Sequence, residues 1–195
     1  MSEHPVPETY GDVTGEYLAL RSEAASVAGY SGLLWVRGSD AVSFLDGLLS
    51  QDVEAMAPAT VARSFLLEPR GKLRALLWVL RGTDEVGLIC DAAVTEAVAA
   101  QLERFRFRVD AEVAPHGGEV LDVWGPAAAV LSGRPESGWA DGVAALQLGG
   151  LPRMVLFGAA VERASALRQA GSLAPTAVRI EAGEPVMGLD VGEDT

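Results

Sequence analysis

The chain has a single cysteine, Cys90, in 195 residues. No disulfide can form within it, and a cysteine-only zinc or iron–sulfur site would have to borrow ligands. Cys90 ends an apolar run beside Asp91, and nothing adjacent in sequence would lower its pKa, so a buried, inert thiol is expected. There are two histidines, His4 and His116, far apart. His116 falls in Ala114-Pro115-His116-Gly117-Gly118 and reads as a solvent-exposed turn residue. Aromatic residues make up only 6%. Trp35, Trp78, Trp124 and Trp139 read mostly as core, though one of them could stack on a flat ligand. Long hydrophobic runs are missing: Ala75–Leu80 is far too short to span a bilayer. The acidic segment Met1–Thr9, with Pro5 and Pro7, does not read as a signal peptide. A cytoplasmic protein with no membrane attachment is therefore expected. Positive charge is also scarce. Fifteen Lys+Arg face 27 Asp+Glu, a net charge of −12 at pH 7, and Lys72 is the only lysine. Such a chain repels phosphate backbones, so no nucleic-acid partner is expected. Nucleophile elbow, P-loop, dinucleotide fingerprint and metal-ligand spacings are all missing.

What is present is an ordinary globular composition, 49% hydrophobic and 22% charged, sufficient for a core without staples. Residues 1–14 read as a loose tail, with Thr14 capping a helix that carries Tyr17, Leu18 and Leu20. Gly32–Gly38 reads as a strand, followed by a helix capped at Ser39 or Asp40 with Phe44, Leu45, Leu48 and Leu49 on one face. Ala62–Leu67, Lys72–Arg81 and Val86–Cys90 read as an antiparallel meander, because their turns are too short for crossovers. Asp91 is expected to cap a helix with Val94, Val98 and Leu102 on one face. The strict alternation Arg104-Phe105-Arg106-Phe107-Arg108-Val109 predicts a further strand. In the second half, Glu119–Trp124 reads as a strand and Gly125-Pro126 as a helix start stopped by Gly133. Pro135–Gly142 reads as a loop, and Val143–Leu148 with Arg153–Phe157 as a hairpin. Ala160–Ala170 and Thr176–Ala182 read as helices, and Met187–Thr195 has no evident partner. The order implies an α+β fold, mostly antiparallel sheets with packed helices, in two interleaved halves of roughly 15–115 and 116–195.

The cations are the most suggestive chemistry. Arg70, Lys72 and Arg74 alternate at the start of one strand, and Arg104, Arg106 and Arg108 on another. Two such rows meeting across a sheet would form an anion site in an acidic protein. Solvated faces paired to Glu68 and Asp110 are the alternative. Asp52, just past the helix, is suited to accept backbone hydrogen bonds in the next turn.

Five segments, in this order, carry a resemblance. They are Gly32 to Leu45 with Ser50-Gln51-Asp52-Val53, Leu66 to Lys72, Val123-Trp124-Gly125-Pro126-Ala127, Arg179-Ile180-Glu181-Ala182-Gly183-Glu184-Pro185, and Gly188-Leu189-Asp190. Residues 15–195 resemble the folate-binding domain of the glycine-cleavage T-protein (aminomethyltransferase) and of YgfZ-type folate-binding proteins. The resemblance implies tetrahydrofolate as cofactor, with Lys72, Arg74, Arg70, Asp52 and Asp91 as candidate binding residues and no catalytic or metal residues. In the aminomethyltransferases an acidic pair follows the Gly71 equivalent, where this chain has Arg74 and Ala75. The carboxylate-bearing loop that holds the pterin is matched by Leu148 to Arg153, without a carboxylate. The expectation is therefore a YgfZ-type protein that assists iron–sulfur protein assembly or repair without turnover of its own, with iron–sulfur clients or assembly proteins as partners. The alternatives are a one-carbon transferase using Asp52, Glu68 or Asp91, and a ligand-free interaction scaffold. The Lys-Gly-Cys motif and C-terminal barrel of the resembled proteins do not occur by Thr195, so a truncated chain or short relative is expected.

Overall fold

The structure is a computed structural model that describes residues 6–68, 70–132 and 138–192. In chain order the helices are α1 (Val13–Ser22), α2 (Ala41–Asp46), α3 (Thr95–Phe105), α4 (Ala128–Ser132) and α5 (Leu173–Glu181). The strands are β1 (Ala25–Ala28), β2 (Ser31–Arg37), β3 (Val61–Leu67), β4 (Leu73–Arg81), β5 (Glu85–Asp91) and β6 (Glu112–Pro115). They continue with β7 (Val120–Trp124), β8 (Gly138–Ala140), β9 (Val143–Leu148), β10 (Leu151–Phe157) and β11 (Arg168–Gln169). This is the α+β class expected. Two compact units result: residues up to Tyr30 with Glu119–Glu184, and Ser31–Gly118 with residues from Pro185 on.

The first unit is built on a six-stranded sheet of order β11-β1-β7-β10-β9-β8, antiparallel except for β11 on β1. Its β9–β10 hairpin turns on Gly149-Gly150 alone. One core cluster gathers Leu20, Val27, Trp124, Leu148, Ala174 and Val178, and another gathers Val123, Val143, Met154, Leu156 and Ala160. The segment before α1 is tied down from Pro7 onward. The Pro7 and Glu8 carbonyls accept from the Ser172 and Leu173 N–H groups. Buried Glu16 accepts from the Tyr10 and Gly171 N–H groups.

The second unit is built on a five-stranded sheet of order β3-β4-β5-β2-β6. The expected meander is present: β3–β4 and β4–β5 are antiparallel. Alternate residues of β4, Ala75, Leu77 and Val79, join Leu34, Val36, Leu88, Cys90, Val98 and Leu102 in one core cluster. This is the period-two burial a half-covered strand requires. Cys90 is buried as expected, and burial pushes its thiol up to about 11.

Several expectations are corrected. α1 is capped by Asp12, whose Oδ1 accepts from the Gly15 N–H at 2.9 Å, and not by Thr14. Asp40 holds the cap position of α2 without a side-chain cap bond, because its Oδ2 instead accepts the Asp110 N–H. Residues 104–109 form no strand. The Val98/Leu102 spacing carries α3 through Phe105. Arg106 then turns the chain, its guanidinium reaching Glu103 Oε2 at 2.9 Å and the Ala111 carbonyl at 3.1 Å. The two arginine rows therefore do not meet across a sheet. Ala160–Ala170 is not a continuous helix but a 3-10 segment, Gly158–Ala164, leading to β11. Ala160 and Ala164 pack in the core, and the Ala170 N–H is drawn to the Ser26 carbonyl at 2.9 Å, so pairing with β1 overrides the helical propensity of alanine. The expected loop 135–142 contains β8, paired with β9. Gly125-Pro126 makes a turn, and α4 starts only at Ala128; the expected stop at Gly133 lies outside the described residues.

His116 is not a free turn histidine. Its Nδ1 accepts the Trp35 indole N–H at 3.3 Å, so the ring is neutral with its proton on Nε2. Burial, and then the charge of Arg37, hold its pKa below the ordinary 6.5. The unfolded chain thus takes up a proton that the fold resists. This contribution to stability is complete above 6.5 and is lost as pH falls through 6.5 toward the folded value. His116→Gln retains an acceptor and removes the titration. Between about pH 7.5 and 5.5 the wild type should lose more melting temperature than this variant. Parallel losses would show that His116 does not couple to folding.

Candidate functional site

Antiparallel pairing puts directly opposed side chains on the same face of a sheet. In the β3–β4 ladder Arg63 opposes Trp78 and Phe65 opposes Leu76. Trp78 opposes Ile89 of β5, and Asp91 lies two positions further along the same strand. Arg63, Phe65, Arg74, Leu76, Trp78 and Asp91 therefore share the face turned away from the core that Ala75, Leu77 and Val79 enter. Phe65 is 47% exposed, whereas Ala75 is fully buried. Arg74 and Trp78 are half-buried.

The three charged groups on this face are each held by a specific partner. The Arg63 guanidinium lies over the Trp78 ring, 4.6 Å from its centroid. Arg74 pairs with Glu68. Asp91 holds the cap position of the 3-10 turn Ala92–Val94 that follows it, but makes no side-chain cap bond there. Its Oδ2 accepts the Met187 N–H at 2.7 Å. This bond gives the expected partnerless segment from Met187 a partner. Met187 itself is buried.

The β3–β4 turn borders this face. The Glu68 N–H donates to the Lys72 carbonyl and the Gly71 N–H to the Glu68 carbonyl, both at 2.8 Å. A register shift between Leu66 and Leu67 breaks the ladder just before it. Arg70 therefore sits in the turn and Lys72 ahead of the strand, and only Arg74 lies in β4. The expected single strand row of three cations is thus an exposed turn pair followed by one paired strand residue. Asp52 sits in a different turn, where its Oδ1 accepts the Ala55 N–H at 2.8 Å, the backbone role expected of it. It is exposed, and no contact joins it to Arg74, Trp78 or Asp91 among the described residues. Asp46, not singled out from sequence, does comparable work, accepting the Val53 N–H at 2.7 Å and the Glu54 N–H at 3.2 Å.

The arrangement offers a flat indole, a carboxylate already held by one backbone N–H, and cations at the neighbouring turn. Such a face can stack a planar heterocycle, accept from its N–H groups and neutralise a carboxylated arm. Trp78 is the residue sequence reasoning failed to select. The alternation Arg74-Leu76-Trp78 was its signal, but its neighbours Phe65 and Asp91 depend on interstrand register. Among the described residues no group of three or more His, Cys, Asp or Glu side chains is arranged to hold a metal ion. No described helix is long and apolar enough to cross a membrane.

No family model matches the chain, and no curated protein matches it in sequence. Among solved structures, heterotetrameric sarcosine oxidase from Corynebacterium sp. in complex with pyrrole 2-carboxylate aligns at 17% identity over 84% of this chain and 86% of that one, with a TM-score of 0.41. Glycine cleavage system aminomethyltransferase T from Bartonella henselae aligns at 24% identity over 97% of this chain and 60% of that one, with a TM-score of 0.84. The chain thus has the α+β fold of that aminomethyltransferase T, over 60% of its length.

Proposed function

We propose that the chain binds tetrahydrofolate on the outward face of β3, β4 and β5 without itself transferring a one-carbon unit. One observation carries the reading. Arg74, which stands where the aminomethyltransferases it resembles have an acid, lies on the same face as Trp78 and Asp91 and is neutralised by Glu68. The other substituted position, Ala75, faces the core. The residues present suit the folate. Trp78 offers a surface for the pterin or aminobenzoyl ring once exposed Arg63 swings aside. Asp91 supplies an acceptor for pterin N–H groups. Arg70 and Lys72 suit the glutamyl carboxylates. Bound tetrahydrofolate would supply the nitrogens that carry one-carbon units. This chain's residues would bind and orient it. A finer role, assisting iron–sulfur protein assembly or repair as YgfZ-type proteins do, is supported by the sequence resemblance and by the missing acid pair.

Calorimetry with tetrahydrofolate under reducing conditions tests the reading. Wild type should bind and gain melting temperature. Lys72→Ala should weaken binding by about 1–3 kcal/mol, the scale of a charge-assisted hydrogen bond. The loss should shrink as salt rises, because Lys72 is exposed. No heat and no thermal shift at millimolar ligand would refute folate binding. Equal affinity of wild type and variant at low salt would remove Lys72 from the site. Tetrahydrofolate-dependent release of ammonia from an aminomethyl donor would replace the binding-only reading with a transferase.

A further inference from the structure

The end of α3 and the turn after it carry a concentration of arginine and exposed phenylalanine. Residues 104–108 read Arg-Phe-Arg-Phe-Arg in a chain of net charge −12. Phe107 is 76% exposed and Phe105 36%. Arg106 is committed to Glu103 and to the Ala111 carbonyl. Arg104 and Arg108 have no carboxylate partner among the described residues. Arg108 adopts φ +56°, a left-handed conformation that costs a non-glycine residue energy. In that conformation its guanidinium lies 5.2 Å from the centroid of the Phe107 ring. Arginine and large aromatic side chains are the groups that anchor protein interfaces. Here they stand outward on a strained turn whose Arg106 is bonded to Glu103 and the Ala111 carbonyl.

We propose that this turn is a docking site for an acidic protein segment, with Phe107 entering an apolar socket while Arg104 and Arg108 meet carboxylates beside it. Charge complementarity favours this partner over a membrane. Anionic lipid surfaces are read by clusters of about 4–8 basic residues. Here Arg106 and Glu103 neutralise each other, and Asp110 and Glu112 flank the turn, so an extended anionic plane would meet repulsion. A partner whose carboxylates are interleaved with apolar side chains would not, because contact with Phe107 adds to each ion pair.

The test uses the full chain and three probes: a random glutamate–tyrosine copolymer, polyglutamate, and phosphatidylserine vesicles. The copolymer should bind best, and its binding should fade between about 0.05 and 0.5 M salt as charges are screened. Phe107→Ser and Arg104→Ala should each weaken it by about tenfold or more. Arg108→Gly removes a cation while relieving the backbone. It should lower binding without lowering melting temperature, and so remains informative if Phe107→Ser does not fold. Copolymer binding unchanged in the variants, polyglutamate bound as tightly as copolymer, or binding to vesicles alone would each overturn the proposal.

Discussion

Replacing Arg153 with methionine should cost the protein about 3–5 kcal/mol, the usual penalty for removing one partner of a buried ion pair. Arg153 is 5% exposed and Asp122 fully buried. Their side chains meet across the β7–β10 ladder, Nε to Oδ1, at 2.7 Å. The Trp124 indole N–H donates to the same Oδ1 at 3.3 Å. Asp122 Oδ2 has no hydrogen-bond partner among the described residues. All the polar support of this carboxylate thus converges on one oxygen, and the guanidinium supplies most of it. Arg153 also lies 4.9 Å from the Tyr30 ring centroid and 5.8 Å from that of Trp124. The methionine variant keeps most of the volume, but it loses the cation beside the two rings and leaves a buried charge unsatisfied. Adding Asp122→Leu removes that charge, and the double variant should recover most of the loss, because two apolar groups need no compensation. Urea unfolding of wild type, both single variants and the double variant checks this. A loss below about 1 kcal/mol for Arg153→Met would show that solvent already reaches the pair.

Where turn chemistry and apolar alternation agree, the fold was legible. β3, β4 and β5 follow from Glu68-Pro69-Arg70-Gly71 and Gly82-Thr83-Asp84-Glu85 lying between apolar runs. The β9–β10 hairpin follows from Gly149-Gly150. Alternation alone misled at residues 104–109, where the pattern is arginine against phenylalanine and no strand among the described residues pairs with it. A run that buries neither set of side chains has no reason to be a strand. Ala160–Ala170 failed for the opposite reason. Its local helical propensity is real, but the Ser26 carbonyl, distant in sequence, draws the chain into a sheet edge.

The candidate site was partly legible for the same reason. Lys72 and Arg74 could be read as neighbours because they lie on one short segment. That Trp78 and Asp91 share a face with Arg74 depends on β4 pairing with β5 so that Trp78 meets Ile89. A slip of one residue would turn Asp91 to the other face. The Asp122–Arg153 pair was likewise invisible: neither strand's pattern says which residues will oppose one another.

Gly38→Ala should be the other large loss, on the order of 3 kcal/mol, because it adds a backbone collision to an unfavourable dihedral. Gly38 directly follows β2, at φ +133°. A methyl group there would stand 2.2 Å from the Asp110 carbonyl oxygen and 3.0 Å from Ala111 Cα. Neither is the end of a flexible side chain that could swing away. The same carbonyl accepts the Asp40 N–H at 3.0 Å. Ser39 Oγ donates to Asp110 Oδ2, and the Asp110 N–H to Asp40 Oδ2, each at 2.8 Å. Moving Asp110 aside would therefore strain the knot that starts α2 and joins it to the approach to β6. Gly71→Ala is the control. It has φ +81° but open space around the added carbon, so only the dihedral cost of about 1–2 kcal/mol applies. Urea unfolding should separate the two variants clearly. Amide exchange in Gly38→Ala should rise first at Asp40 and Asp110, whose N–H groups depend on the contact. Equal losses from the two substitutions would mean that Asp110 yields freely and that the close approach of the two backbones contributes little to stability.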